Sequence, residues 1–181
     1  MPAQAKISSS WTMRIGLIAV LFLGFGLLGV YDGFVKYPAQ KQKWDAYQQY
    51  VKDHNESTTG WDEFATAKGW PVAIPEERDI GDIKTQYVII AICIPVGLVA
   101  LIWLLVNLPR KVSSDETGFT ACGLKIPYNA VTRIDKSRWD DKAIAVVHYD
   151  HEGKTGSAKI DDWKFRGAAD VLADIERHAN L

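Results

Sequence analysis

Hydrophobic positions fall into three regimes along this chain. Ile15 to Tyr31 is a run of seventeen residues without a charge, and Tyr87 to Leu108 is a second run of twenty-two. Residues 36–86 between them are polar with scattered aromatics, and beyond Leu108 the pattern breaks into short alternating segments divided by turn residues. A hydrocarbon core of roughly 30 Å needs about 20 helical residues at about 1.5 Å each. The second run has that length, and fourteen of its residues are Val, Ile or Leu. At roughly −0.3 to −0.6 kcal/mol apiece these supply on the order of −4 to −8 kcal/mol of insertion free energy. The pattern therefore predicts a transmembrane helix over 87–108. Asn107 lies at its end, where a polar side chain costs little, and Pro95 is tolerated as a kink that a soluble helix seldom accepts. A buried core helix is the competing reading, but such helices rarely run this long without a charge.

The first run is bracketed by Arg14 and Asp32 and spans only about 25 Å, so it must borrow from its flanks. A transmembrane helix over 12–34 follows, with Arg14 snorkelling outward and Trp11 and Tyr31 near the two interfaces, after a tail of residues 1–11. A cleaved secretory signal is the rival, since Lys6 and Arg14 are basic and Gly24-Phe25-Gly26 offers small residues at a cleavage spacing. Against it, the apolar run continues through Leu27, Leu28 and Val30. Gly29 and Gly33 form a small-xxx-small pair, but Asp32 between them argues for a position near the surface and only weak packing.

Residues 35–86 read as an extramembrane loop with short helices. Trp44, Tyr47 and Val51 recur at helical spacing within Lys41 to Lys52. Trp61 to Ala65 suggests a second helix stopped by Gly69 and Pro71, and Pro75-Glu76-Glu77 a third turn leading into Tyr87. Two readings stay open: a cap lying on lipid headgroups, or a solvated loop whose aromatics pack only on each other.

Residues 109–181 switch to strand signals. Phe119 to Cys122, Leu124 to Ile126, Val131 to Ile134 and Ala143 to Tyr149 read as strands, with a further one near Gly156 to Ile160. Asp140-Asp141-Lys142 and His151-Glu152-Gly153-Lys154 read as hairpin turns. Ala168, Val171, Leu172, Ile175 and Ala179 then form one helical stripe, with Asp170 early and Arg177 and His178 late to suit the dipole. The fold class expected is an α+β membrane protein: two transmembrane helices, a short helical loop, and a small antiparallel β domain closed by a C-terminal helix.

The run Glu116-Thr117-Gly118-Phe119, then Ile126-Pro127-Tyr128-Asn129-Ala130-Val131 through Ile134, the long strand and the terminal helix resemble the bacterial pleckstrin-homology-like domains. The resemblance covers residues 112 to 178, and in that family such a domain often follows a pair of membrane helices. It implies a barrel-like strand-rich fold, a role in binding or assembly, no catalytic residues, and a bacterial cytoplasmic (inner) membrane location with the C-terminal domain inside. The basic residues Arg133, Lys136 and Arg138 are offset by Asp135, Asp140 and Asp141 and make no complete lipid-phosphate pocket.

Composition adds little: a net charge of −1 hides the segregation of apolar runs. After Leu108 twelve basic residues face twelve acidic ones, which argues against nucleic acid as a partner. His148 and His151 have an HxxH spacing that suits a metal on a helix, but three apart on a strand they point to opposite faces. Asp140-Asp141 and Asp161-Asp162 stand beside Trp139 and Trp163, yet adjacent side chains diverge and are poor acid/base pairs. Cys93, mid-membrane, and Cys122, in the β domain, cannot plausibly pair. No catalytic, cofactor-binding or metal-ligating residue is therefore assigned, and no enzyme activity or cofactor is expected.

The expected partners are the lipid bilayer and a protein partner or a second copy. The expected function is a membrane-anchored, non-catalytic interaction or scaffolding module; the alternative is an accessory subunit of a transporter or membrane enzyme, with the loop making the essential contact. Two crossings put both termini on one side. The loop holds seven Lys or Arg against Lys6, Arg14, Arg110, Lys111 and Lys125 opposite, but beside the helix ends Arg14, Arg110 and Lys111 outweigh Lys36 and Lys84. With the resemblance, this gives cytoplasmic termini and an external loop.

Overall fold

Two long helices form where the charge-free runs predict them, and the computed structural model describes residues 2–121 and 123–179. Helix α1 (Ser9–Tyr31) follows a short strand, β1 (Gln4–Ile7), and opens where Thr12 bonds the Ser8 carbonyl through both its N–H (3.0 Å) and its hydroxyl (3.1 Å). Its end differs from the expected stop at residue 34. The helix passes through a π-helical turn, Asp32–Lys36, into α2 (Tyr37–Asp53), and the Tyr37 N–H reaches back to the Asp32 carbonyl. Pro38 supplies the reason: it has no N–H for the Phe34 carbonyl and its ring crowds that oxygen, so a widened turn upstream lets the helix continue. After α3 (Trp61–Ala67), helix α4 runs Ile80–Asn107 with Pro95 inside it. Both long helices are long and apolar enough to cross a membrane. The chain divides into two compact units, residues 19–99 and residues 1–18 with 100–181.

In the unit 19–99, small residues on α1 face α4. Gly26, Gly29 and Gly33 are all buried. A Cβ on Gly26 would lie 2.5 Å from Ile94 Cδ1, and one on Gly97 only 2.9 Å from the backbone nitrogen of Leu23, so the backbones approach too closely for any larger residue. A Cβ on Gly29 would lie 3.2 Å from Ile90 Cγ1 and one on Gly33 3.0 Å from Gln86 Cβ, so this pair has a packing role despite Asp32. The turn expected at Pro75-Glu76-Glu77 does not form. Asp79 and Asp82 exchange backbone N–H and carboxylate bonds of 2.9 and 3.2 Å, a reciprocal cap that fixes the start of α4 at Ile80. On α2 and α3 the aromatic rings pack on one another: Tyr47 and Tyr50 meet Trp61 edge-on at 5.0 and 5.7 Å, and Phe64 lies 5.5 Å from Trp61.

In the other unit, the segment expected as a tail contributes an inner strand to a sheet. After α4 come β2 (Lys111–Ser114), β3 (Gly118–Ala121), β4 (Leu124–Pro127), a 3₁₀ turn (Tyr128–Ala130), β5 (Val131–Arg138), α5 (Trp139–Lys142), β6 (Ile144–His151), β7 (Lys154–Asp161), β8 (Phe165–Arg166) and α6 (Ala168–His178). They build two antiparallel sheets rather than one, ordered β4-β3-β2-β1-β8 and β5-β6-β7. Ala5 is fully buried opposite Val112, which holds β1 in register. Asp140–Lys142 does join two antiparallel neighbours, β5 and β6, as expected, and does so within the one-turn helix α5; this closes on Ala143 at φ 50°, whose N–H bonds the Trp139 carbonyl. The β6–β7 hairpin turns through Glu152 and Gly153 at φ 53° and 73°, the conformation a two-residue hairpin loop requires.

The stripe on α6 is inward: Ala168, Val171, Leu172 and Ile175 are buried, as is Ala179 just beyond the helix. It closes over β1, β2, β3 and β7, completing a core with Phe119, Ile126, Val147 and Ile160. Cys122, and with it the question of its pairing, lies outside the described residues.

Candidate functional site

Three places in the molecule gather polar chemistry. The first is the junction where β1 turns into α1, α4 ends, and the loop between β7 and β8 passes. The Lys164 ammonium donates to Asn107 Oδ1 at 2.7 Å and stands 5.3 Å over the Trp11 ring. Asn107 is 4% exposed and donates its own amide to the Trp103 carbonyl at 2.7 Å, while the Ser8 N–H donates to the Lys164 carbonyl at 2.8 Å. Asn107 is thus a buried, fully engaged connector rather than an inexpensive terminal residue. Beside it a cleft of about 200 Å³ is lined by Ser10, Trp11, Arg14 and Trp163, and Trp163 is 67% exposed.

The second is the turn between β2 and β3. Asp115 accepts from the N–H groups of Thr117 (2.8 Å) and Gly118 (3.0 Å), from the Thr117 hydroxyl (2.7 Å) and from the Lys125 ammonium (2.7 Å). These donors, Lys125 foremost, hold its carboxyl well below the ordinary value of 3.8. Tyr128 donates its hydroxyl to the Asp115 carbonyl at 2.8 Å and stacks on His178 at 4.9 Å. Burial first, then the charges of Asp174 and Asp115, push the Tyr128 phenol up. Gly118 is required here, since a Cβ would overlap the Ile126 carbonyl and come within 2.8 Å of Pro127 Cα. Thr117, Gly118 and Tyr128 therefore meet at one structural hub around Asp115.

The third is a cleft of about 220 Å³ beside the α2–α3 aromatic cluster, walled by Trp61, Trp70, Pro71 and Ile74 with Lys43 and Glu76 at its margin. The Trp61 indole N–H and the Gln40 side-chain carbonyl are buried without a hydrogen-bond partner among the described residues.

The candidate chemistry read from the sequence is dispersed. His148 pairs across the sheet with Arg133 and Ser157, whereas His151 stands at the hairpin end opposite Lys154; their parity on β6 puts them on opposite faces. Asp161 accepts from the Lys164 N–H at 3.0 Å and pairs with Lys159 at 2.8 Å, and Asp162 caps α6 through the Ala169 N–H at 3.0 Å. Both carboxylates thus have local structural tasks. Arg133 pairs with Asp135 at 3.5 Å and Lys136 with Glu176 on α6 at 2.9 Å. The Ser137 N–H, bonded at 2.9 Å, is the main cause that keeps the Asp135 carboxyl below its ordinary value.

No protein-family model, curated protein or solved structure matches the chain.

Proposed function

We propose that the protein is a membrane-anchored, non-catalytic interaction module that crosses a bacterial inner membrane twice and captures a protein partner, or a second copy of itself, through its β domain. The observation that carries this reading is the exposure of the long helices. In the most apolar stretch of α1 only 17% is buried within the molecule, and in that of α4 only 6%. Phe25, Leu28, Val99 and Ile102 are each more than half exposed, where a core helix would be covered. Lipid is the solvent that removes this penalty.

The β domain is read as pleckstrin-homology-like. Two antiparallel sheets closed by a C-terminal helix support that reading, as does the hub at Asp115, Gly118 and Tyr128. A role in binding rather than catalysis is supported by the structural tasks of Asp161 and Asp162. The N-terminal strand, paired with β2 and β8, favours a common side for the two ends of the helix pair. Arg14, Arg110 and Lys111 beside those ends favour the cytoplasmic side.

The cleft walled by Trp61 and Trp70 favours a second reading, an accessory subunit of a transporter or membrane enzyme whose contact lies on residues 36–86. Photocrosslinkable residues separate the two. Placed at Arg133 or Ser157, on the outer row of the β5-β6-β7 sheet, they are expected to give adducts of defined mass in cells, and at Ile74 none. Adducts from Ile74 alone would favour the second reading.

A further inference from the structure

The register of the five-stranded sheet lines up like charges. Lys6 on β1 stands directly opposite Lys111 on β2 and directly opposite Arg166 on β8. Their neighbours Ala5, Val112 and Phe165 are buried, so alternation turns all three cations to the outer face, where each is exposed. Among the described residues none of the three joins an ion pair. Like charges directly opposite on neighbouring strands destabilise a sheet, and three in a row across the middle strand of the chain's own N-terminus is an arrangement that an anionic surface would relieve.

The position of the row says which surface. Lys6 is three residues before the start of α1, about 10 Å of extended chain, and Lys111 follows the end of α4 at Asn107 by four residues. From Lys6 onward the chain presents a cation, then Trp11 and Arg14, then the apolar run from Ile15. The antiparallel β8 repeats the order, with Arg166 beside Lys6 and the exposed Trp163 beside the first turn of α1 in the cleft with Trp11. Cation, indole, hydrocarbon is the order of depth in a bilayer interface.

We propose that the Lys6–Lys111–Arg166 row binds the anionic headgroups of the bilayer that takes up α1 and α4, with Trp11 and Trp163 seated at the level below. The inference rests on the membrane reading above. It gives the β domain a fixed face toward the lipid and leaves the β5-β6-β7 sheet free for a partner.

The test uses the full chain in phosphatidylcholine nanodiscs carrying phosphatidylglycerol, with either lipid brominated to quench indoles. Quenching lost in the Trp11→Phe/Trp163→Phe variant reports the lipid beside the row. Brominated phosphatidylglycerol is expected to quench this component beyond its mole fraction, and Lys6→Gln to lower that preference by up to about fivefold. The triple variant Lys6→Gln/Lys111→Gln/Arg166→Gln should show none, while melting no lower than wild type because repulsion has been removed. In the wild type, ~0.5 M salt should erase the preference without any substitution. A preference unchanged in the triple variant and in salt overturns the proposal. So does a wild type that shows no preference, which would leave the row to an acidic segment of a protein partner. Trp103, 55% exposed on α4, reports the underlying reading separately. If brominated phosphatidylcholine does not quench it, the membrane reading itself fails; if it does and the headgroup preference is absent, only this inference fails.

Discussion

Lys164 donates its ammonium to Asn107 Oδ1 at 2.7 Å, so the last turn of α4 is tied to the loop that leads into β8. Asn107 is 4% exposed, and losing that donor leaves a buried acceptor without its partner. Lys164→Met is therefore expected to destabilise the β domain by about 1–3 kcal/mol, the cost of an unsatisfied buried polar group. The double variant Lys164→Met/Asn107→Leu should recover part of that loss, because both partners are then apolar. Thermal melts of the two variants check this; equal melting of wild type and Lys164→Met would show that the contact contributes nothing.

Strand β1 sits between β2 and β8, with Ala5 fully buried opposite Val112. Removing residues 2–7 should unzip the five-stranded sheet even though the whole segment 109–181 is retained. The expected readout is rapid proteolysis within the β domain at a protease dose the full chain survives. Protection equal to that of the full chain would mean the domain closes without β1.

The carboxylate of Asp115 is charged and held below its ordinary value of 3.8 by Lys125 and the Thr117 donors. A carboxylate depressed in the folded state contributes stability that is fully present above its unfolded value, about 3.9, and is lost as pH falls through the folded value. Asp115→Asn should thus melt below wild type at pH 7, and the gap should narrow steadily below about pH 4. A gap that stays constant down to pH 2 would exclude the charge as its source.

What the sequence makes legible here is local. The α6 stripe from Ala168 to Ile175 and the β6–β7 hairpin at Glu152-Gly153 show because period and turn chemistry lie within a few residues of each other. Strand β1 stays hidden because four residues carry almost no period and the partner is remote: Ala3 and Ser114, bonded at 3.2 Å, are 111 residues apart. The Lys6–Lys111–Arg166 row exists only once that pairing is known. Asn107 ends an apolar run and so reads as inexpensive; its bond to Lys164 spans 57 residues, beyond any local window. The start of α4 is set by the reciprocal bonds of Asp79 and Asp82, a pair with capping-box spacing that lies ahead of the uncharged run and so outside its hydropathy pattern.

Two crossings with the β domain inside the cell are checked by labelling single cysteines from one side. In a background with Cys93 and Cys122 replaced, Asn55→Cys in the loop and Ser157→Cys on β7 each present one exposed thiol. A membrane-impermeant maleimide added to intact cells is expected to label Asn55→Cys at once and Ser157→Cys only after permeabilisation. Labelling of Ser157→Cys in intact cells, with Asn55→Cys protected, would invert the topology. Equal labelling of both in intact cells would contradict the double crossing itself.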